Sequence, residues 1–187
     1  LCVSQGWSPT AVFGHSAGAA IALRMAELAQ VRVGCVVGIN AALSEFQGAA
    51  GVLFPLMARV LARLPLLPTM ISKLWGTPAR VDALLVSTGS KIEVDGRQQY
   101  LHLVRNADHI EGTLGMMAQW RLVGLLAGLP AVTAPVLLIA SAGDRAVPPG
   151  VSVRAAQRLH NAEAVVLPDF GHLVHEEGAD QVAAVVL

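Results

Sequence analysis

Three residues that could together perform nucleophilic catalysis occur along the chain in the order serine, aspartate, histidine: Ser16, Asp144 and His172. A serine hydroxyl is a poor nucleophile near neutral pH, so it needs a base such as an imidazole to accept its proton. The imidazole in turn needs a carboxylate that fixes its tautomer and stabilises its protonated form. We therefore predict that Ser16 is a nucleophile, that His172 is its general base, and that Asp144 orients the base.

The surroundings of Ser16 have the pattern of a nucleophile elbow. Ser16 is the centre of the pentapeptide Gly14-His15-Ser16-Ala17-Gly18, which follows an apolar strand and precedes an alanine-rich helix. In such an elbow, a sharp strand-to-helix turn exposes the hydroxyl. We expect the two glycines to leave room for the strand and the helix to pack closely. We also expect the amide of Ala17 to donate a hydrogen bond to an oxyanion.

Other acidic and histidine residues offer alternative assignments. Asp169 lies three residues before His172, but both residues share one tight loop, which makes it hard for the carboxylate to turn back to the ring. His15 should point away from its neighbour Ser16 and either line the substrate pocket or pack beneath it. His175 is expected in the following helix, as a hydrogen-bonded partner of the adjacent glutamates.

The remaining histidines are expected to be solvated: His102, His109 and His160. No two histidines share a ligand spacing on one element together with an acidic third residue, so the sequence predicts no metal site. It predicts no other cofactor either.

Composition limits the class of protein. A chain of 187 residues with 54% hydrophobic content can bury one substantial core. Its 13 basic and 13 acidic residues cancel, without a basic stripe that would favour nucleic acid. Cys2 and Cys35 are too few for a disulfide framework, which favours a reducing compartment such as the cytoplasm. Prolines interrupt the uncharged stretches 1–23 and 122–143, so no transmembrane segment is predicted.

Short apolar runs at 35–39, 135–140 and 164–167 predict strands that are covered on both faces, as in a parallel sheet. Helical patterns separate them, which indicates the α/β class, with ligands bound beyond the carboxyl ends of the strands. Ser16 follows the elbow strand, Asp144 follows the run 135–140 and His172 follows the run 164–167. In the helix after the elbow, Ile21, Met25 and Leu28 share one face, and alanines allow close approach to the sheet.

The predicted organisation has three parts. Residues 1–40 hold the elbow strand, its helix and the next strand, residues 41–130 form a helical lid insertion, and residues 131–187 complete the core with the acid and histidine loops. Within the lid, the turn Thr88-Gly89-Ser90 and the run 116–120 are candidates to face a ligand, with core packing as the alternative. The predicted substrate-binding residues are His15, Met116, Met117 and Trp120, and further apolar lid residues are Leu53, Phe54, Leu56 and Met57.

The start of the chain lies only a short way before the elbow strand. A strand that leads into an elbow normally lies in the middle of a sheet. We therefore expect earlier N-terminal strands to be missing, together with the loop that would supply a second oxyanion donor, and the elbow strand to have an unpaired edge.

The chain resembles the α/β-hydrolase superfamily over essentially its whole length, and more narrowly the magnesium chelatase accessory proteins of bacteriochlorophyll biosynthesis. This resemblance implies the α/β-hydrolase fold, the triad places for the three residues above, and a role near magnesium insertion into protoporphyrin. The segments that carry it are Gly14-His15-Ser16-Ala17-Gly18-Ala19-Ala20-Ile21-Ala22, Ile39-Asn40-Ala41-Ala42-Leu43, Thr88-Gly89-Ser90, Met116-Met117-Ala118-Gln119-Trp120 and Gly171-His172-Leu173-Val174-His175-Glu176-Glu177.

Two functions from different classes follow. The first is a serine hydrolase that acts on a small apolar ester or related acyl substrate in the magnesium-porphyrin pathway. The second is a non-catalytic accessory protein that binds a porphyrin or docks on magnesium chelatase. Cofactor-free oxidation or C–C hydrolysis on the same triad is a third possibility, because fold and triad do not determine substrate. Epoxide hydrolases and dehalogenases are disfavoured, because they use a carboxylate where this chain has Ser16.

Overall fold

The computed structural model describes residues 2–28, 30–44, 61, 64 and 66–187. Within them, four strands form one parallel sheet in the order β1-β2-β3-β4. The α/β class and the parallel sheet are therefore confirmed. The strands are β1 (Ala11–His15), β2 (Cys35–Ile39), β3 (Val136–Ser141) and β4 (Ala162–Leu167).

Helices fill most of the described chain between and after the strands. A short 3-10 helix covers Leu129–Ala131, just before β3. The α-helices are Cys2–Gln5, Ala17–Leu28, Leu67–Trp75, Pro78–Ser87, Val94–Arg105, Ala107–Gln119, Val123–Gly128, Gly150–Ala156, Val174–Glu177 and Ala179–Val186.

The chain divides into two compact units. The sheet unit comprises the described parts of 1–44, 88–91 and 122–187, and the helical unit those of 45–87 and 92–121. Residues 88–91 thus group with the sheet, although helices of the other unit flank them in sequence. The role of the helical unit as a lid stays a prediction. Four residues assigned to that lid lie outside the described residues: Leu53, Phe54, Leu56 and Met57.

Both faces of the sheet are covered, which explains the nearly continuous apolar runs of its strands. On one face, Ile39 and Ile139 pack with Val174 and Val182 of the last two helices. The other face contacts the elbow helix, Ala17–Leu28. Gly38 makes a close approach possible there, because a Cβ at this position would lie 2.8 Å from Leu138 Cδ2 and 3.3 Å from Ala19 Cβ.

The elbow helix buries mainly small side chains. Its buried residues are Ala19, Ala20, Ala22 and Leu23. The alanines thus allow the close approach to the sheet that the sequence predicted. Ile21 and Leu28, which share a face in the sequence pattern, are 58% and 49% exposed. Phe13 on the edge strand β1 is also mostly exposed.

Two further sequence expectations concern the environment of the protein. No helix in the described ranges is long and apolar enough to cross a membrane. Cys2 and Cys35 are both free thiols.

Candidate active site

Ser16 occupies a strained turn between β1 and the elbow helix. Its φ angle is 52°, in the left-handed region that non-glycine residues rarely adopt. The backbone on both sides holds this conformation: Ser16 N–H donates to the Ile39 carbonyl at 2.9 Å, and the Ser16 carbonyl accepts from Ala19 N–H at 3.2 Å and Ala42 N–H at 3.1 Å. The turn is therefore fixed to the end of β2 and the loop that follows it.

The two glycines of the pentapeptide are not equivalent. A Cβ at Gly14 would overlap the backbone of Gly18 and Ala19, so a glycine is required there for the strand to meet the helix. A Cβ at Gly18 would meet no described atom within 4 Å. The expectation that both glycines provide room therefore holds for Gly14 and fails for Gly18.

Asp144 and His172 come together beyond the carboxyl ends of β3 and β4. His172 Nδ1 lies 2.7 Å from Asp144 Oδ2, and the Asp144 side chain has no exposed surface. The other carboxylate oxygen, Oδ1, accepts the N–H groups of Ala146 at 2.7 Å and Val147 at 2.8 Å. Since a carboxylate only accepts, Nδ1 carries the proton and Nε2 is the basic nitrogen of the ring.

Ser16 follows β1, so it lies at the same, carboxyl end of the parallel strands as this pair. Among the described residues, the Ser16 hydroxyl makes no hydrogen bond. Catalytic hydrogen bonds in unliganded enzymes are often long and tighten only when substrate binds. The residue before Ser16 is hydrogen-bonded to the histidine loop: His15 Nε2 donates to the His172 carbonyl at 2.8 Å.

His15 is the centre of a cluster of three imidazoles. Its ring centroid lies 4.6 Å from that of His172 and 4.3 Å from that of His175. The pKa of His15 is lowered to about 4, mainly by burial and in part by repulsion from the two other rings, while its bond to the His172 carbonyl and the Asp144 charge oppose the shift. Burial also lowers the pKa of His175. Near neutral pH, His15 is therefore an uncharged donor.

The expected partners of His175 are only partly found. Its Nε2 lies 3.7 Å from Glu176 Oε1, and Nδ1 has no hydrogen-bond partner among the described residues. Glu177 instead accepts the Gly171 N–H at 3.1 Å and the Lys91 N–H at 3.0 Å. Glu177 therefore binds backbone N–H groups, among them that of Gly171 before His172, and not the His175 ring.

Asn40 is a site residue that sequence reasoning missed. It ends β2 with a φ of 45° and is 1% exposed. Its Nδ2 donates to the His172 carbonyl at 2.8 Å and the Gly171 carbonyl at 3.1 Å, and its Oδ1 accepts the Ser141 N–H at 2.8 Å. The only local signal in the sequence was a polar residue directly after a buried strand.

The remaining predicted site residues have simpler surroundings. Ala17 is the first residue of the elbow helix, a position whose N–H has no intrahelical acceptor and where an anion is favoured. Asp169 is exposed and makes no hydrogen bond to His172 within the described chain. In the helical unit, Met116 is 38% exposed, and Met117 and Trp120 are half-buried. Their contact with a substrate stays a prediction.

The described residues contain no group of three or more histidine, cysteine, aspartate or glutamate side chains that could hold a metal ion.

Comparisons with known proteins extend the description of the fold. A family model described as the alpha/beta hydrolase fold matches residues 5–179. The protein named "Magnesium-chelatase 30 kDa subunit" of Rhodobacter capsulatus is 46% identical over 187 residues, which are 100% of this chain and 65% of that protein. The chain therefore spans slightly less than two thirds of the length of this curated relative.

Solved structures share the fold at low sequence identity. An alpha/beta hydrolase fold protein from Burkholderia ambifaria has a TM-score of 0.76 and 21% identity, over 100% of this chain and 68% of that one. The esterase EaEST from Exiguobacterium antarcticum has a TM-score of 0.72 and 13% identity, over 99% and 68%. The family model covers most of the chain, and the sheet is parallel with helices on both faces. The chain therefore belongs to the α/β-hydrolase fold family.

Proposed function

We propose that the protein is a serine hydrolase that acts on an ester or related acyl substrate. Ser16 is the nucleophile, His172 the general base, and Asp144 the carboxylate that orients it. The observation that carries this proposal is the 2.7 Å contact between His172 Nδ1 and the inaccessible Asp144 carboxylate. This chemistry needs a buried, oriented imidazole. The imidazole lies at the carboxyl end of the parallel strands, where the strained Ser16 also lies.

The reaction would proceed in two balanced steps. Ser16 Oγ attacks the acyl carbon and its proton passes to His172 Nε2, while the Ala17 N–H donates to the developing oxyanion. His172 then gives the proton to the departing alcohol, which leaves an ester on Ser16. A water molecule repeats the sequence, with its proton taken by His172, and releases the carboxylic acid and the free serine. Asp144 stays ionised and stabilises the imidazolium.

The substrate and setting are proposed from the relative and from the helical unit. The name of the Rhodobacter capsulatus protein supports a role linked to magnesium chelatase. The resemblance of the sequence supports the magnesium-porphyrin and bacteriochlorophyll pathway, and the small number of cysteines supports the cytoplasm. The residues proposed to bind an apolar acyl group remain those that the sequence predicts, His15, Met116, Met117 and Trp120, and the helical unit is proposed to act as a lid. Apolar surface of this kind retains ligands mainly by burial.

A second candidate function is that of an accessory protein that binds a porphyrin or associates with magnesium chelatase. The name of the relative as a chelatase subunit favours it. So does the absence of a hydrogen bond on the Ser16 hydroxyl among the described residues. In this case the triad would be a relic of an ancestral enzyme, and its serine would be dispensable.

Hydrolysis of p-nitrophenyl esters of increasing acyl length tests the first function. We expect turnover by the wild-type protein and none above background by Ser16→Ala. Ser152→Ala is the control, because Ser152 is a serine of the same sheet unit whose buried hydroxyl has no partner in the described chain. Equal rates for wild type and Ser16→Ala would reject Ser16 as the nucleophile.

Complementation of a pigment-deficient host separates the two functions. Rescue by wild type alone would support hydrolysis, whereas equal rescue by Ser16→Ala, together with protoporphyrin binding by that variant, would support the accessory role. Failure of the wild-type gene to restore pigment would remove the pathway assignment.

A further inference from the structure

We propose that the tripeptide Thr88–Ser90, called the clasp below, is a positioning segment. It fixes the loop that contains Asp144, called the acid loop, relative to the loop that contains His172, called the histidine loop. Its catalytic importance rests on the proposed hydrolase function, whereas its effect on the Asp144–His172 contact does not. The clasp belongs to the sheet unit, although helices of the helical unit precede and follow it in the sequence.

One carbonyl group of the clasp joins the two loops. The Thr88 oxygen accepts the Arg145 N–H at 3.1 Å and the His172 N–H at 3.3 Å. Arg145 is the residue directly after the acid, and His172 is the base itself. A carbonyl oxygen has two lone pairs, so it can accept from both loops at once. The spacing between the two loop backbones is thus set through a single atom.

Ser90 makes a second attachment to the histidine loop. Its Oγ accepts the Leu173 N–H at 2.9 Å and the Thr88 hydroxyl at 3.1 Å. Ser90 is 2% exposed and Leu173 is 7% exposed, so water cannot readily replace this acceptor. Removal of the hydroxyl would leave a buried N–H without its partner, which costs more than the bond itself contributes.

The backbone of the clasp fits against both loops without side chains between them. Gly89 has a φ of +84°, and a Cβ there would overlap the Gly143 carbonyl just before the acid. A Cβ at Gly171, just before the base, would in turn overlap the backbone of Gly89 and Ser90. The clasp therefore touches the residue that precedes Asp144 and the residue that precedes His172.

The clasp and Asn40 hold opposite ends of the same peptide units. In the Gly171–His172 unit, the N–H donates to Thr88 and the carbonyl accepts from Asn40. In the His172–Leu173 unit, the N–H donates to Ser90 and the carbonyl accepts from Asn40. Asp144 and His172 lie on separate loops, and a small shift of either would lengthen their 2.7 Å contact. Fixing the backbone of the base from both sides keeps its imidazole against the acid.

The test compares the same substitution at two buried serines, Ser90→Ala and Ser152→Ala. The first readout is the low-field proton resonance of His172 Nδ1–H, which reports the bond to Asp144 directly. The second is the rate at which a fluorophosphonate labels Ser16. Both are measured at a temperature at which circular dichroism shows every variant fully folded.

We expect Ser90→Ala to broaden or shift the resonance and to slow labelling about tenfold, the effect of one lost hydrogen bond. Ser152→Ala should leave both readouts close to wild type. A Ser90→Ala protein with an unchanged resonance and an unchanged rate would overturn the clasp. If Ser90→Ala does not fold, Ser90→Cys keeps a weaker acceptor of similar size, and the same outcomes apply with a smaller shift expected.

The two proposals fail in different ways. A wild-type protein that shows the resonance but is not labelled contradicts the hydrolase function, and the effect of Ser90→Ala on the resonance then still decides for or against the clasp. A wild-type protein without the resonance would contradict both.

Discussion

The sheet unit and the helical unit differ most clearly in where they place polar groups. In the described chain, the buried polar side chains of the sheet unit are Asn40, Ser90, Ser141, Asp144, Ser152 and His172, whereas the helical unit buries only Ser72. Buried polar networks require specific geometry, because each unsatisfied member is costly in a medium of low dielectric constant. Substitutions that disturb chemistry should therefore concentrate in the sheet unit.

In the described part of the helical unit, several charged side chains make exposed contacts. Arg97 and Asp82 form an ion pair at 3.6 Å, but both side chains are more than 40% exposed, so the pair contributes little. Arg80 lies over the Trp75 ring at 5.4 Å. A cavity of about 440 Å³ opens between the helices Pro78–Ser87 and Val94–Arg105. We expect substitutions of these exposed residues to have small effects on stability.

The largest effect is expected from Asp144→Asn in the sheet unit. An amide at this position can donate to His172 Nδ1 and so favour the wrong tautomer, with the proton on Nε2. We expect turnover of p-nitrophenyl esters to fall by roughly 10³- to 10⁴-fold, with the protein still folded. Glu163→Gln on β4 is the control, since Glu163 is exposed. A loss smaller than tenfold would mean that the tautomer of His172 is not set by Asp144.

A smaller but still large effect is expected from Asn40→Asp. The carboxylate keeps the size of the amide but cannot donate to the carbonyls of Gly171 and His172, which it would repel. We expect about a hundredfold loss of turnover and a lower melting temperature. Asn106→Asp, at an exposed helix N-cap in the helical unit, should leave turnover unchanged. Full activity of Asn40→Asp would show that this side chain does not position the base.

An effect of pH on stability follows from the lowered pKa of His15. Between pH 6.5, its ordinary pKa, and about 4, the unfolded chain binds a proton that the folded protein does not. The free energy of unfolding should therefore fall as pH falls through this window, and His15 should add no further loss below it. His175, whose pKa is also lowered by burial, will contribute a dependence of the same sign.

Urea unfolding at pH 7 and pH 4.5 isolates this contribution. His15→Gln has no ionisable ring and can keep a donor to the His172 carbonyl. We expect wild type to lose on the order of 1 to 2 kcal/mol more than the variant over this interval. Equal losses would show that His15 is protonated in the folded protein.

The smallest effect on ester turnover is expected from substitutions in the helical unit. Met116→Ala and Met117→Ala should change the turnover of an acetyl ester by less than about threefold, because such a short group needs little apolar contact. With long acyl esters, KM should rise about tenfold, as buried area is lost. A large fall in acetyl ester turnover would show that these methionines support the catalytic groups themselves.

The sequence was most informative where signals are local. The run 35–39 predicted β2 with the bounds that the structure has, because a strand covered on both faces must be continuously apolar. The strand and the helix on either side of Ser16 were recognisable because strand, small residues and helix are consecutive in the chain. The order of Ser16, Asp144 and His172 suggested their roles before any distance was known.

The clasp and Asn40 could not be assigned in this way. Asn40 meets His172 across 132 positions, and Ser90 meets Leu173 across 83. No periodicity or spacing encodes such pairings, which arise from the arrangement of whole strands.

Covalent labelling of Ser16 tests the central claim most directly. The wild-type protein and the His172→Gln and Ser16→Ala variants would be treated with a fluorophosphonate, and the site of the adduct identified by peptide mass spectrometry. We predict a stoichiometric adduct on Ser16 in wild type, labelling slowed at least a hundredfold in His172→Gln, and none in Ser16→Ala. Unlabelled wild-type protein, or equal labelling of wild type and His172→Gln, would contradict the claim that His172 and Asp144 activate Ser16.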